Sequence, residues 1–203
     1  MRTRLGLLFI MCVIVLVGCA RTSSSFEDDF SDPASGWGAS SHETYVRGYQ
    51  QGRYLMQIDV PQWFVWATAG RTYQDVEMEV NVRSEQVTDN HYGVFCRYTE
   101  GQFYYFAISA DGYYAIFLHN EDGKLLPLTG QAMLRSSLIS TDGRENRLMA
   151  VCKGTQLTLY VNGEQVAQVE DETLKRGDIG MAAGTLQQGG TIVWFDDLRV
   201  EKP

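Results

Sequence analysis

The chain has few of the side chains on which most metal-dependent and acid–base chemistry rests. It has three histidines, His42, His91 and His119, and they are too scattered to form a ligand pair at helical or strand spacing. There is no G-x-S-x-G elbow, and no phosphate-cradling glycine loop ahead of a helix. Metal-hydrolase, serine-hydrolase and nucleotide-enzyme readings therefore have no residues to rest on. Positive charge is also scarce: 17 Lys and Arg stand against 25 Asp and Glu, a formal charge of −8. Nucleic acid calls for a basic face, so it is excluded as a partner. With four prolines there is no Pro-rich linker, and no internal repeat marks a second domain. Sustained helical periodicity with caps is missing; Gln131–Ile139 comes nearest and reads better as a loop.

Long apolar runs are absent but for one. Behind Arg2 and Arg4, Leu5 to Val17 reads LGLLFIMCVIVLV, and Gly18-Cys19-Ala20 follows. A basic head, a short apolar core and small residues at a cleavage point describe a secretory signal. The run is shorter than the roughly 20 residues a membrane-spanning helix needs. Leu16-Val17-Gly18-Cys19 resembles the lipobox of bacterial lipoproteins. That resemblance implies a signal peptide over 1–18, acylation of Cys19, and a polar tether over 19–25 ahead of a domain at 26–203. The expected partner is the lipid membrane, with the domain facing the periplasm or exterior from a cell membrane or outer membrane. Acyl chains anchor at about 0.8 kcal/mol per buried methylene. Loss of Arg2 and Arg4 makes the mature chain more acidic, at −10.

Of four cysteines, Cys12 lies in the discarded segment and Cys19 carries lipid, which leaves Cys96 and Cys152. Export favours pairing them as a structural disulfide. Two free buried thiols are the alternative, since cysteine packs well as a small apolar residue.

The remainder reads as strands rich in Val, Ile, Tyr, Phe and Trp with period-two alternation. Expected strands are Tyr54–Val60, Val76–Arg83, Tyr92–Tyr98, Phe103–Ser109, Tyr113–His119, Arg147–Lys153, Leu157–Val161, Gln165–Glu170, Ile179–Ala183 and Ile192–Val200. Turns such as Glu100-Gly101, Asp111-Gly112, Asp122-Gly123 and Asn162-Gly163 separate them. So many short antiparallel strands need two packed sheets, an all-β sandwich.

Several segments taken in order (Phe26–Asp32, Tyr73–Val80, Tyr92–Tyr98, Leu157–Gly163 and Trp194–Val200) resemble the concanavalin A-like lectin/glucanase jelly roll. The likeness is to the branch near laminin G-like and 3-keto-disaccharide hydrolase-like domains. It implies one convex and one concave sheet, and fold alone does not set function.

Asp75-x-Glu77-x-Glu79 alternates with Val76, Met78, Val80 and Val82, so its carboxylates share the face away from the core. Retaining glucanases of the superfamily use a similar strand, but here Asp75 stands where their nucleophilic Glu would be, and Glu77 where their Asp would be. A solvated strand face, ligand-contacting carboxylates and glycosidase chemistry all stay open. On the middle strands, Phe95, Arg97, Tyr105, Tyr113, Phe117 and His119 fall opposite the inward set of Val94, Cys96, Phe106, Ile108, Ile116 and Leu118. Flat rings beside Arg, Glu and His suit sugars; alternatively, residues 125–139 fold over this face and make it a second core. Trp63 and Trp66 are candidates for the rim or for the core. The resemblance also implies a structural calcium where the first and last strands meet, with Asp29 (or Asp28) and Asp196 (or Asp197) as ligands. The leading expectation is a non-catalytic module that binds a glycan or surface polymer through Glu77, Glu79, Arg97, Tyr105 and His119. The alternatives are a carbohydrate-active enzyme using Glu77 and Glu79, and an envelope structural or protein-interaction domain.

Overall fold

A computed structural model describes residues 25–85 and 89–203. The signal segment and Cys19 fall outside the described residues. Among the described residues sixteen strands build two antiparallel sheets. In the nine-stranded sheet the order is β14 (Glu164–Glu170), β13 (Gln156–Val161), β12 (Asn146–Lys153), β6 (Val76–Ser84), β16 (Thr191–Glu201), β4 (Arg53–Ile58), β3 (Tyr45–Gln50) and β2 (Ser40–His42); β1 (Phe26–Asp28) also pairs with β16. The seven-stranded sheet runs β10 (Leu125–Pro127), β9 (Tyr113–His119), β8 (Gln102–Ile108), β7 (Asn90–Thr99), β15 (Gly177–Thr185) and β5 (Phe64–Tyr73), with β11 (Leu134–Arg135) also on β9. The architecture is the expected all-β sandwich, a concanavalin A-like jelly roll.

Alternation explains the main core. Val76, Met78, Val80 and Val82 of β6 point inward and are fully buried, while Glu77, Glu79, Asn81 and Arg83 lie on the outer face. From the other sheet Val94, Cys96, Phe106, Ile108, Ile116 and Leu118 meet them, as alternation predicts. The hairpins at Glu100-Gly101 and Asn162-Gly163 place both residues at positive φ, the geometry that joins right-twisted strands through two residues.

Strand β5 was not expected from the sequence. Pro61 and Gly70 bracket a stretch whose alternation fades at Thr68-Ala69, yet pairing with β15 holds it as an edge strand across a bulge near Asp178. Residues 131–139 form a loop carrying only the two-residue β11.

Cys96 on β7 and Cys152 on β12 form a disulfide that ties one sheet to the other through the core. Closing a loop across a sequence separation of 56 residues stabilises by up to about 4 kcal/mol on the chain-entropy account. The double variant Cys96→Ala/Cys152→Ala should lose about 2–4 kcal/mol and unfold about 5–15 °C lower, measured by thermal denaturation. Equal midpoints would show that the bridge does not brace the sandwich.

Candidate functional site

The seven-stranded sheet curls into a trough. Strands β9 and β5 stand four strand spacings apart, about 19 Å if the sheet were flat. Yet the ring of His119 on β9 lies 5.8 Å from those of both Trp66 and Phe64 at the β5 edge. The outer face is therefore concave, and rings from its two edges meet across it. Small residues form the floor: Ala107, Ala115 and Ala182 are fully buried. A Cβ at Gly180 would sit 2.0 Å from Phe95 Cζ, and one at Gly184 would sit 2.4 Å from His91 Nε2. The rings descend into the space these residues leave. Phe95 and Phe103 are 4.5 Å apart, and Phe103 stacks on His119 at 4.6 Å. The face is a second hydrophobic core, with Leu125 and Met133 from the residues 125–139 packed against it.

Two of the expected ligand residues are consumed by this core. Tyr105 is 0% exposed; its hydroxyl donates to the Ala182 carbonyl at 3.3 Å and lies 3.2 Å from His91 Nδ1. With the phenol proton given to Ala182, His91 Nδ1–H is the donor to Tyr105, which assigns the tautomer. Burial lowers the His91 pKa from 6.5 to about 4 and pushes Tyr105 well above 10.0, so His91 is neutral at pH 7. His119 donates from Nδ1 to the Gly101 carbonyl at 2.6 Å and is buried.

Arg97 does not follow Phe95 onto this face. Its φ of +58° sits where the register of β7 with β8 shifts between Cys96 and Thr99. The bulge turns its guanidinium, 2% exposed, toward the end of the sandwich. There it donates to the carbonyls of Gln74 (3.0 Å), Leu174 (2.8 Å) and Gly154 (2.8 Å) and pairs with Asp75 at 3.5 Å. Asp75 in turn accepts the Gly154 N–H at 2.9 Å rather than joining the carboxylates of β6. Arg97 is thus a structural tie.

Glu77 and Glu79 keep the outward direction alternation gave them, but on the outer face of the nine-stranded sheet. They lie on the opposite side of the molecule from Tyr105 and His119, so the five expected residues do not converge. Glu79 pairs with Arg147 at 3.6 Å. A groove of about 700 Å3 beside it includes Glu27, Asp29, Asp197 and Arg199, and its guanidiniums pair with its own carboxylates, Arg199 with Glu27 at 3.5 Å. Asp29 and Asp196, expected to share calcium, are each engaged locally. Asp29 accepts both the N–H (3.0 Å) and the hydroxyl (2.7 Å) of Ser31, and these bonds lower its pKa. Asp196 faces Arg53 at 3.1 Å. Among the described residues no group of three or more His, Cys, Asp or Glu side chains converges as metal ligands.

What the trough leaves open is a cleft running across the curled face from the start of β5 to the β9–β10 turn. It encloses about 610 Å3 among Gln62, Trp63, Phe64, His91, Lys124, Leu125 and Thr185–Gln187, within the range of small-ligand sites. Trp63 is 41% exposed at its rim. Backbone ties hold that rim: Gln62 N–H donates to Leu186 O (2.9 Å), Thr185 N–H to Trp63 O (2.9 Å), and Trp63 N–H to Thr185 Oγ1 (3.1 Å). Opposite, the Asn120–Lys124 turn is closed by Lys124 N–H to Asn120 Oδ1 at 2.9 Å and Asn120 N–H to Lys124 O at 3.0 Å. The cleft presents one exposed indole, two primary amides, a neutral imidazole and an ammonium group. Sequence reasoning named Trp63 as a rim candidate and missed Gln62, His91, Lys124 and Gln187, which come together only when the sheet curls.

Burying neutral His91 links stability to pH. Its folded pKa is depressed, so the unfolded chain takes up the extra proton. The stability is complete above about pH 6.5 and falls by up to about 3 kcal/mol as pH drops toward 4. His91→Gln should make the slope of unfolding free energy shallower by about 1.4 kcal/mol per pH unit in that window, read by urea denaturation. An unchanged slope would mean that His91 is charged or solvated in the folded protein.

Solved structures with this architecture include the carbohydrate binding module CBM66 from Bacillus subtilis (12% identity, TM-score 0.59, covering 86% of this chain and 94% of that one). A Bacillus licheniformis β-glucanase is similar at 10% identity and TM-score 0.64, over 90% of this chain and 100% of that one. A Bacillus subtilis protein of unknown function with a galectin-like fold is similar at 9% identity and TM-score 0.67, over 87% and 94%. Identities this low establish the fold. No curated protein matches the chain. Residues 30–201 match the 3-keto-alpha-glucoside-1,2-lyase-like domain, and the chain belongs to that family of carbohydrate-related β-sandwiches.

Proposed function

We propose that this protein is a lipid-anchored, non-catalytic carbohydrate-binding module that takes a glycan or surface polymer into the cleft beside Trp63. The observation that carries the reading is the cleft itself: an exposed indole at a braced rim, with the amides of Gln62 and Gln187 within the same 610 Å3. Sugar C–H faces stack on aromatic rings, and hydroxyls pair with planar amides. No carboxylate lines the cleft among the described residues. Glycoside hydrolysis needs a pair of them across the scissile bond, so binding without cleavage fits this site better. The carbohydrate-binding module among the structural neighbours points the same way.

The anchor agrees with this geometry. Strand β1 starts at Phe26, a short tether after Cys19, and pairs with Val200 near the end of β16. The start of β16, at Thr191, pairs with Ile58 near the Trp63 rim, and its 11 residues span about 35 Å. A lipid on Cys19 would hold the Phe26 end near the membrane and point the Trp63 rim away from it.

A catalytic reading draws on the family's name and on the polar groove at Glu79. It requires glycan turnover that Glu79→Gln abolishes, and a broad oligosaccharide panel tests it.

For the binding reading, a glycan array followed by calorimetry should yield a carbohydrate ligand. Trp63→Ala should weaken its binding at least about tenfold with little change in thermal midpoint, because the side chain is exposed. Glu77→Gln and Glu79→Gln should leave binding unchanged. A ligand whose affinity ignores Trp63 and falls with Glu79→Gln would move the site to the opposite sheet.

A further inference from the structure

We propose that the glycan taken by this cleft is acidic, a carbohydrate whose rings carry carboxylates, and that Lys124 selects it. This rests on the cleft being the glycan site. Of the side chains lining it, Lys124 alone is ionic at neutral pH, since His91 is held neutral by burial. Yet the chain as a whole has 25 acidic residues against 17 basic ones. In so acidic a chain this cleft is walled by an indole, aliphatic groups, amides and one ammonium group, and the nearest carboxylates, Asp122 and Asp89, stand behind its lining residues Lys124 and Gln187. The wide groove on the other sheet shows the contrast: there each lining guanidinium already faces a carboxylate of the protein.

The backbone of Lys124 is fixed, while its exposed side chain can turn toward a ligand. The Asn120–Lys124 turn fixes its backbone from both sides, and Gly123 N–H donates to Asn120 O at 3.0 Å within it. Its ammonium has one weak ion-pair partner, Asp122 Oδ2 at 3.9 Å, with both side chains mostly exposed. A pair of this kind contributes little and exchanges readily for a ligand carboxylate. Trp63 enters the cleft from the β5 edge of the sheet and Lys124 from the β9–β10 edge. The curl of the sheet sets a stacking surface and a cation on opposite walls. A sugar stacked on Trp63 would turn its ring substituents toward Lys124, where a carboxylate gains a charge-assisted hydrogen bond that a hydroxymethyl group lacks.

Matched pairs of oligosaccharides test this: oligogalacturonates against their methyl esters, and sialyllactose against lactose, titrated into the protein at two salt concentrations. At least one acidic member should bind about tenfold more tightly than its neutral partner, and the difference should shrink at high salt. Lys124→Met, which keeps the apolar stem, should erase that preference, so that the acidic and neutral members bind alike, and Lys124→Arg should retain it. Equal binding of both members, still sensitive to Trp63→Ala, would overturn the acidic preference and leave the cleft as a glycan site. Failure of every acidic member to bind would also overturn the preference. If neutral glycans bound without regard to Trp63, the reading of the cleft itself would fall as well.

Discussion

The close approach of large rings to a floor without side chains governs this molecule. Strand β15 offers Gly180, Ala182 and Gly184 on its outer face, where Phe95, Tyr105, Phe64 and His91 need space. A flat sheet would spread these rings in water and leave β5 too far from β9 to share contacts. Curling brings the edges together, buries the rings against one another, and gives the domain a second core outside the sandwich. Each buried aromatic contributes about 1.5–3 kcal/mol from area alone, enough in sum to fix the curvature. The trough is largely filled by the protein's own side chains, and what stays open is the cleft between the start of β5 and the β9–β10 turn.

This division explains how the polar groups are disposed. Arg97 and Asp75 seal the end of the sandwich where the β5–β6, β12–β13 and β14–β15 connections meet, and the guanidinium is spent on three carbonyls. At the other end backbone bonds brace Gln62 and Trp63 against Thr185 and Leu186, and the cleft runs from there across the curled face to Lys124 in the β9–β10 turn. The disulfide between Cys96 and Cys152 links the two sheets, so the curled sheet is fixed to a partner that cannot slide.

Much of the fold was legible in the chain. Alternation in β6 through β9 assigned the inward residues correctly, the Asx-Gly and Glu-Gly pairs marked hairpins, and two cysteines in a chain whose N-terminus reads as an export signal pointed to pairing. The site was less legible, for reasons that are specific. Arg97 leaves the face that alternation assigns because a bulge at positive φ cannot be inferred from an arginine. Glu77 and Glu79 point outward as expected, but which sheet curls depends on glycines in β15, far from β6 in sequence. Lys124 and Gln187 are ordinary turn residues until the curl brings them into one cleft.

The most direct test is to map the ligand contact itself. Backbone amide shifts of the isotope-labelled protein, followed while a glycan from the array is titrated in, report which end and which sheet it touches. The account predicts that changes concentrate at Gln62–Phe64, Gly123–Leu125 and Thr185–Gln187. Changes centred on Glu77, Glu79, Asn81 and Arg199 would place the ligand on the nine-stranded sheet and contradict it.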